Sequence, residues 1–209
     1  MNFSQDRDLL AYEPNVFVEV PFTAQERVSV ADGLVSGNTL TSVEADFVTA
    51  GVEVGGVVLI ERVAHEVLAV IDAGTLSMSA VRGREADAAI AAKAGEQLSV
   101  RVRTFAPQAT LVHDLLLRLL GLSEEDSLGE EAVVSLGAMM RLECLGTLEM
   151  VYSAAASISG HHEAVLAKAA LYRERFRRAC REAVIGVDLD GDGRANERRR
   201  LGLVSLVRS

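Results

Sequence analysis

Apolar positions in the first half of the chain fall in short runs and alternations; in the second half they recur every three or four residues. The first half therefore predicts strands. Asn15–Val20, NVFVEV, follows Pro14 and reads as a strand that Pro21 ends or marks as an edge. Glu26–Val30 alternates, and Val35–Ser42 carries a Gly-Asn turn signal. The apolar runs Gly56–Ile60 and Glu66–Asp72 are bounded by glycine or charge, and Thr75–Ser79 alternates again. Within Gln97–Phe105, Leu98, Val100 and Val102 face one way while Ser99, Arg101 and Arg103 face the other. Short strands at this spacing predict a small antiparallel barrel or sandwich. The Ala-rich stretch Arg84–Glu96 reads as a short helix or a long loop, with a helical turn favoured.

Pro107 marks the change of period. Val112, Leu115, Leu116, Leu119 and Leu120 stand at helical spacing, with Gly121 as the stop. Ser123–Glu131 reads as an acidic linker, with Ser127 as an N-cap. A long helix is expected from about Gly129 to Ser157, with Val133, Met140, Cys144, Leu148 and Val151 or Tyr152 along one stripe. Gly137 and Gly146 lie inside it; each weakens a helix by about 1 kcal/mol relative to Ala, which close approach of a neighbouring helix would offset. After SISGHHE a second helix is expected from about His162 to Ile185. Its apolar face holds Val165, Ala169, Tyr172, Phe176, Ala179, Cys180 and Ala183, and Arg173, Arg177 and Arg181 stand four apart on another face. Glu174 and Arg178 make one favourable pair, worth about 0.3 kcal/mol; the remaining arginines lack enough acids on their own helix. The end of the chain, RRRLGLVSLVRS, carries Arg198, Arg199 and Arg200, then Leu201, Leu203, Val204, Leu206 and Val207 in an extended apolar stretch. Such a stretch needs something to pair with, and a neighbouring subunit is the natural candidate.

The fold class expected is α+β: a small antiparallel β module, then an α-helical domain with an extended C-terminal tail. Four segments follow: a leader over 1–13 packing on the helical domain, the β module over 14–105, the helical domain over 106–187, and an Asp/Gly turn and tail over 188–209.

Composition narrows the class. The chain has 209 residues, 49% hydrophobic and 24% charged, with 4% aromatic and no Trp, so small aliphatic side chains must fill the core. A net charge of -9 argues against a general nucleic-acid binder. The charge is unevenly spread: residues 1–105 carry 15 acids and 8 bases, residues 106–162 carry 8 and 2, and residues from 163 onward carry 7 and 11. That polarity suits head-to-tail stacking of subunits. Cys144 and Cys180 both fall in apolar helical patterns and read as buried free thiols. MNFSQDRDLL has neither a basic n-region nor a long apolar run, so no signal peptide is expected, and no window reaches the roughly 18 apolar residues of a membrane span. The expectation is a chain made in a cytoplasm and used there, or built into a particle there.

A β module, a Thr104-Phe105…Pro107-Gln108 junction into a helix, two longer helices, a D-x-D-G-D-G turn at Asp188–Gly193 and an apolar, Arg-flanked tail follow one another. This organisation resembles the head-tail connector proteins of long-tailed bacteriophages, also called adaptor or head-completion proteins. The DFVTAGVEVGGVVLI segment also resembles strand-turn-strand patterns in small β domains of phage virion proteins. Known connectors are nearly all helical, so the β module would be an addition. The resemblance implies a structural virion protein without catalysis, located in the neck and assembled in the host cytoplasm. It implies a homo-oligomeric ring, usually a dodecamer, that extends the DNA channel and binds the portal protein, often through the C-terminal tail, and a tail-side neck or terminator protein. Packaged DNA would pass without sequence-specific binding, and no membrane is involved. Arg173, Arg177, Arg181, Arg198, Arg199, Arg200 and the apolar tail residues would be the subunit or portal contacts.

The remaining chemistry is sparse. Asp188, Asp190 and Asp192 take positions 1, 3 and 5 of an EF-type calcium loop, with Gly193 at 6 and Asn196 at 9, but position 12 is Arg199, a cation where two carboxylate oxygens are needed. The alternative is a turn in which Asp side chains bond to backbone amides. No cofactor is expected beyond a weak Ca²⁺ site, and a calcium-dependent binding module with a β recognition domain is the alternative function. His161 and His162 lack further zinc ligands at suitable spacing and read as a polar helix start. His113-Asp114 would make a general-base pair only if a nucleophile converged on it, and no G-x-S-x-G is present. His65-Glu66 reads as a turn between strands. GLVSGN and GVEVGG are glycine turns, since no G-x-x-x-x-G-K-[ST] occurs.

Overall fold

The computed structural model describes residues 2–122, 129–158 and 163–201. They divide into two units, Gln5–Ala106 and Met1–Ser4 with Pro107–Ser209, each built around its own core. The fold is mixed α+β. The leader is split between them: residues 2–4 belong to the helical unit and residues 5–13 to the β unit.

The β unit begins with two single-turn helices, α1 (Asp6–Leu9) and α2 (Val16–Glu19). Six strands follow: β1 (Glu26–Ser36), β2 (Thr39–Thr41), β3 (Val57–Ile60), β4 (Val63–Asp72), β5 (Thr75–Ala80) and β6 (Gly95–Arg103). All pairings are antiparallel, and the order β1-β2-β5-β4-β3-β6 closes into a barrel that leaves no strand edge open. Inward residues are small and aliphatic, as the composition requires: Val28, Val35, Leu40, Val58, Ile60, Val67, Leu76, Met78, Val100 and Val102, with Phe47 from the β2–β3 connection. Gly33 sits where β1 shifts register, and a Cβ there would press into Val100 Cγ2. The β3–β4 hairpin turns through Glu61 and Arg62, with φ of 49° and 69°. That geometry normally recruits Asn-Gly, and a left-handed backbone costs each of these two residues about 1 kcal/mol.

Two expectations are corrected in this unit. NVFVEV is helix α2 rather than a strand. The closed barrel offers no edge for another strand, and one helical turn buries Val16, Phe17 and Val20, with the Phe17 ring 4.7 Å from Phe105. The Ala-rich stretch is an exposed loop with a single tight turn, closed by Asp87 N–H on Arg84 O and Arg84 N–H on the Asp87 carboxylate. Its backbone is bonded to the barrel instead: Ile90 N–H to Ser79 Oγ, Ala80 N–H to Ile90 O and Ala92 N–H to Gly37 O, which a helix would break.

The helical unit comprises α3 (Ala106–Leu120), α4 (Leu136–Ile158), α5 (Glu163–Glu182) and a hairpin, β7 (Val184–Val187) with β8 (Glu197–Arg200). Gly121, at φ +67°, ends α3 as expected: Leu122 N–H reaches Leu117 O and Gly121 N–H reaches Arg118 O. The helix expected from Gly129 starts only at Leu136. The residues before it run beside β7 instead, where Val133 bridges Val187 and Val134 N–H bonds to Gly186 O. α4 is buried on most sides through its middle, and Met139 rather than Met140 enters the core. Gly146 allows the close approach of two helices: a Cβ there would meet Val112 Cγ1 at 2.6 Å and the Phe176 ring at 3.1 Å. Gly137 faces open space. α5 stops at Glu182, and Ile185 and Val187 enter the core from a strand, because pairing with β8 buries alternate residues that a continued helix would have spread around its circumference. Ser127, His161, His162 and the tail beyond Leu201 lie outside the described residues.

Candidate functional site

The hairpin β7–β8 presents the aspartate loop at its tip. The Asp188 carboxylate accepts N–H from Asp190 at 3.1 Å, Gly191 at 2.8 Å and Gly193 at 2.6 Å. Gly191 and Gly193 supply φ of 77° and 80°, conformations that a side chain would strain. Asp192 accepts Arg194 N–H at 2.8 Å, and Asn196 Oδ1 accepts Leu189 N–H at 2.9 Å. Burial pushes the Asp188 carboxyl upward, but the bonds from Gly193, Gly191 and Asp190 outweigh it and hold the group below its usual range. Carboxylate oxygens of Asp188, Asp190 and Asp192 lie within 4.8 Å of one another, so one hard cation could touch all three. Position 12 of the loop supplies nothing: the Arg199 guanidinium bonds Leu120 O at 2.6 Å, Gly121 O and Glu197. Asn196, committed to Leu189 N–H, ties the loop together. A strand follows the loop, as the sequence indicated.

The arginines divide by role. Arg173 pairs with Glu149 at 3.3 Å, and Arg181 with Glu174 at 3.5 Å, both exposed. Arg177, Arg198 and Arg200 are exposed. Arg199 caps the end of α3, and Leu201 is buried in the core of its own unit, so neither is left over for a partner. Leu203, Val204, Leu206 and Val207 lie outside the described residues.

Two buried polar clusters escaped the sequence reading. His65 and Glu66 are both in β4, not in a turn. Glu66 is wholly buried on the outer wall of the barrel, with Arg7 Nη1 and Arg82 Nε each 2.6 Å from its oxygens and Arg82 N–H at 2.9 Å. It anchors α1 and the 81–94 loop. In the helical unit Glu143, also fully buried, accepts Ser4 N–H at 2.8 Å, Ser4 O–H at 2.7 Å and Phe3 N–H at 3.2 Å, with His113 Nδ1 at 2.9 Å. His113 Nε2 faces Glu130 at 3.4 Å, and the Phe3 ring lies 4.5 Å from the imidazole. The acids that face His113 are thus Glu143 and Glu130, not Asp114. The Ser4 hydroxyl points at the same carboxylate rather than at the imidazole, so the group pins the N-terminal residues and does not activate the hydroxyl. A lone acid inside an apolar helical or strand run, as in RLECL and EVLAVI, is the signal that could have found both.

Among the described residues, no helix is long and apolar enough to cross a membrane. Comparison with protein-family models, curated proteins and solved structures gave no match.

Proposed function

We propose that this chain is a structural assembly protein, a head-tail adaptor of a long-tailed phage virion that forms a homo-oligomeric ring between portal and tail around the DNA channel. The observation that carries this reading is a row of leucines on α3. Leu111, Leu115 and Leu119 stand one turn apart and are 57%, 39% and 42% exposed. Fully burying one leucine stabilises by about 2 kcal/mol, so a row left open on a well-formed helix favours a covering surface. Leu166 and Leu171 are likewise open on α5, beside its arginines. The order of segments and its resemblance to connector proteins supply the particular assembly.

Light scattering after gel filtration, with negative-stain imaging, tests it. The chain is expected to form closed rings, and the Leu111→Glu/Leu115→Glu double variant is expected to be a folded monomer. A wild-type chain that stays monomeric at high concentration counts against the reading. The converging carboxylates of Asp188, Asp190 and Asp192 favour a second reading, a calcium-dependent binding module. Calorimetric titration with Ca²⁺ decides it: saturable heat that disappears in Asp190→Ala supports that module.

A further inference from the structure

We infer that the outer wall of the barrel carries a docking site for an acidic segment of a partner protein, held by Arg62 and Arg101. A concavity of about 440 Å³ opens there, lined by Val18, Pro21, Leu59, Glu61, Arg62, Ser99, Arg101 and Arg103. Its charged residues differ in what they already do. Arg103 is committed, to Glu26 at 2.9 Å and to Phe17 O at 2.7 Å. Glu61 is committed too, accepting Ser99 N–H at 2.7 Å and donating its own N–H to Ser99 O at 3.0 Å. Arg62 and Arg101 are exposed, and the ion pairs among the described residues involve neither of them.

Two observations converge on this place. Arg62 and Arg101 border one hollow, each able to hold a carboxylate through two parallel bonds. Val18, Pro21 and Leu59 add apolar surface to the same lining, which suits an aliphatic side chain beside the acids. Arg62 also sits in a left-handed conformation, φ 69°, where glycine or asparagine would be easier. The β3–β4 turn requires that backbone at both Glu61 and Arg62, which fixes where the Arg62 side chain leaves the barrel. The occupant is a protein segment rather than nucleic acid. Residues 5–106 carry 15 acids and 8 bases, a net of -7, which repels a long polyanion while two local arginines still hold a short acidic stretch.

The test uses the full chain and a fluorescein-labelled peptide of alternating glutamate and leucine, followed by anisotropy. Saturable binding that weakens with salt is expected, and Arg62→Glu and Arg101→Glu should each weaken it by about tenfold, the value of one charged hydrogen-bonded pair. Arg84→Glu, on the exposed 81–94 loop, should leave it unchanged. Arg62→Gly should weaken binding while raising the melting temperature. The inference is overturned by absence of saturable binding at millimolar peptide, by an equal loss in Arg84→Glu, or by random-sequence duplex DNA displacing the peptide. It is also overturned if Arg62→Gly binds as the wild type does.

Discussion

Gly146 and Asp6 show how single side chains set the tolerance of each core. At Gly146 alanine would favour the helix by about 1 kcal/mol, but its methyl would press on Val112 Cγ1 at 2.6 Å and on Phe176 at 3.1 Å. Overpacking of this kind costs about 1–3 kcal/mol, so Gly146→Ala should lower stability by about 1 kcal/mol in urea unfolding. Gly137→Ala, with open space around it, should be neutral or stabilising. Asp6 is different in kind. Its carboxylate accepts Phe105 N–H at 2.8 Å, yet burial pushes it from 3.8 to about 6 against the Thr104 and Phe105 hydrogen bonds. The folded chain therefore holds a proton that the unfolded chain releases between those values. The contribution of Asp6 is most favourable below about 4 and is lost as pH rises through about 6. Relative to Asp6→Asn, the wild-type chain should lose on the order of 2 kcal/mol between pH 4 and 7, measured by paired urea titrations.

The elements themselves differ in how openly the sequence announced them. β1 and β6 were legible because alternation is forced by a wall with one apolar side, and α3 was legible because Gly121 ends it with a left-handed cap. α2 was not, because three apolar residues in a row fit a helical turn as well as a strand and only barrel closure decides between them. β7 was hidden for a similar reason: VIGV continues the apolar phase of α5, and its strand character comes from Val134 and β8 on either side. The aspartate loop was legible as a loop, but the sequence left its chemistry open between turn and metal site. Asp188 already satisfies three backbone amides of its own turn. In calcium-free buffer Asp188→Ala should speed hydrogen exchange across β7 and β8, whereas Asp190→Ala should leave it unchanged. Equal behaviour of the two variants would contradict the turn role. The arginine concavity was invisible in the sequence because Arg62 and Arg101, far apart in the chain, meet only through the pairing of β3 with β4 and β6.

Each unit has a core of its own, and a proposed ring must join copies through what those cores leave open. Two kinds of surface are available: the leucine row of α3, and unevenly distributed charge, with 7 acids and 11 bases from residue 163 onward against 15 and 8 in residues 1–105. They respond oppositely to salt. Exposed charges are screened within about 10 Å at 0.1 M ionic strength and about 3 Å at 1 M, while apolar burial does not weaken. Arg177, exposed on α5, should therefore matter to assembly only at low salt. Arg177→Glu is expected to shift the oligomer toward monomer in 0.1 M salt and to match the wild type near 1 M. Leu111→Glu/Leu115→Glu should be monomeric at both. Sedimentation velocity at the two salt concentrations separates the contributions. If Arg177→Glu is defective at both, the arginine acts as a buried, hydrogen-bonded contact rather than through the long-range field. If the leucine variant assembles normally, the covering surface lies elsewhere and the α3 row is not part of the ring.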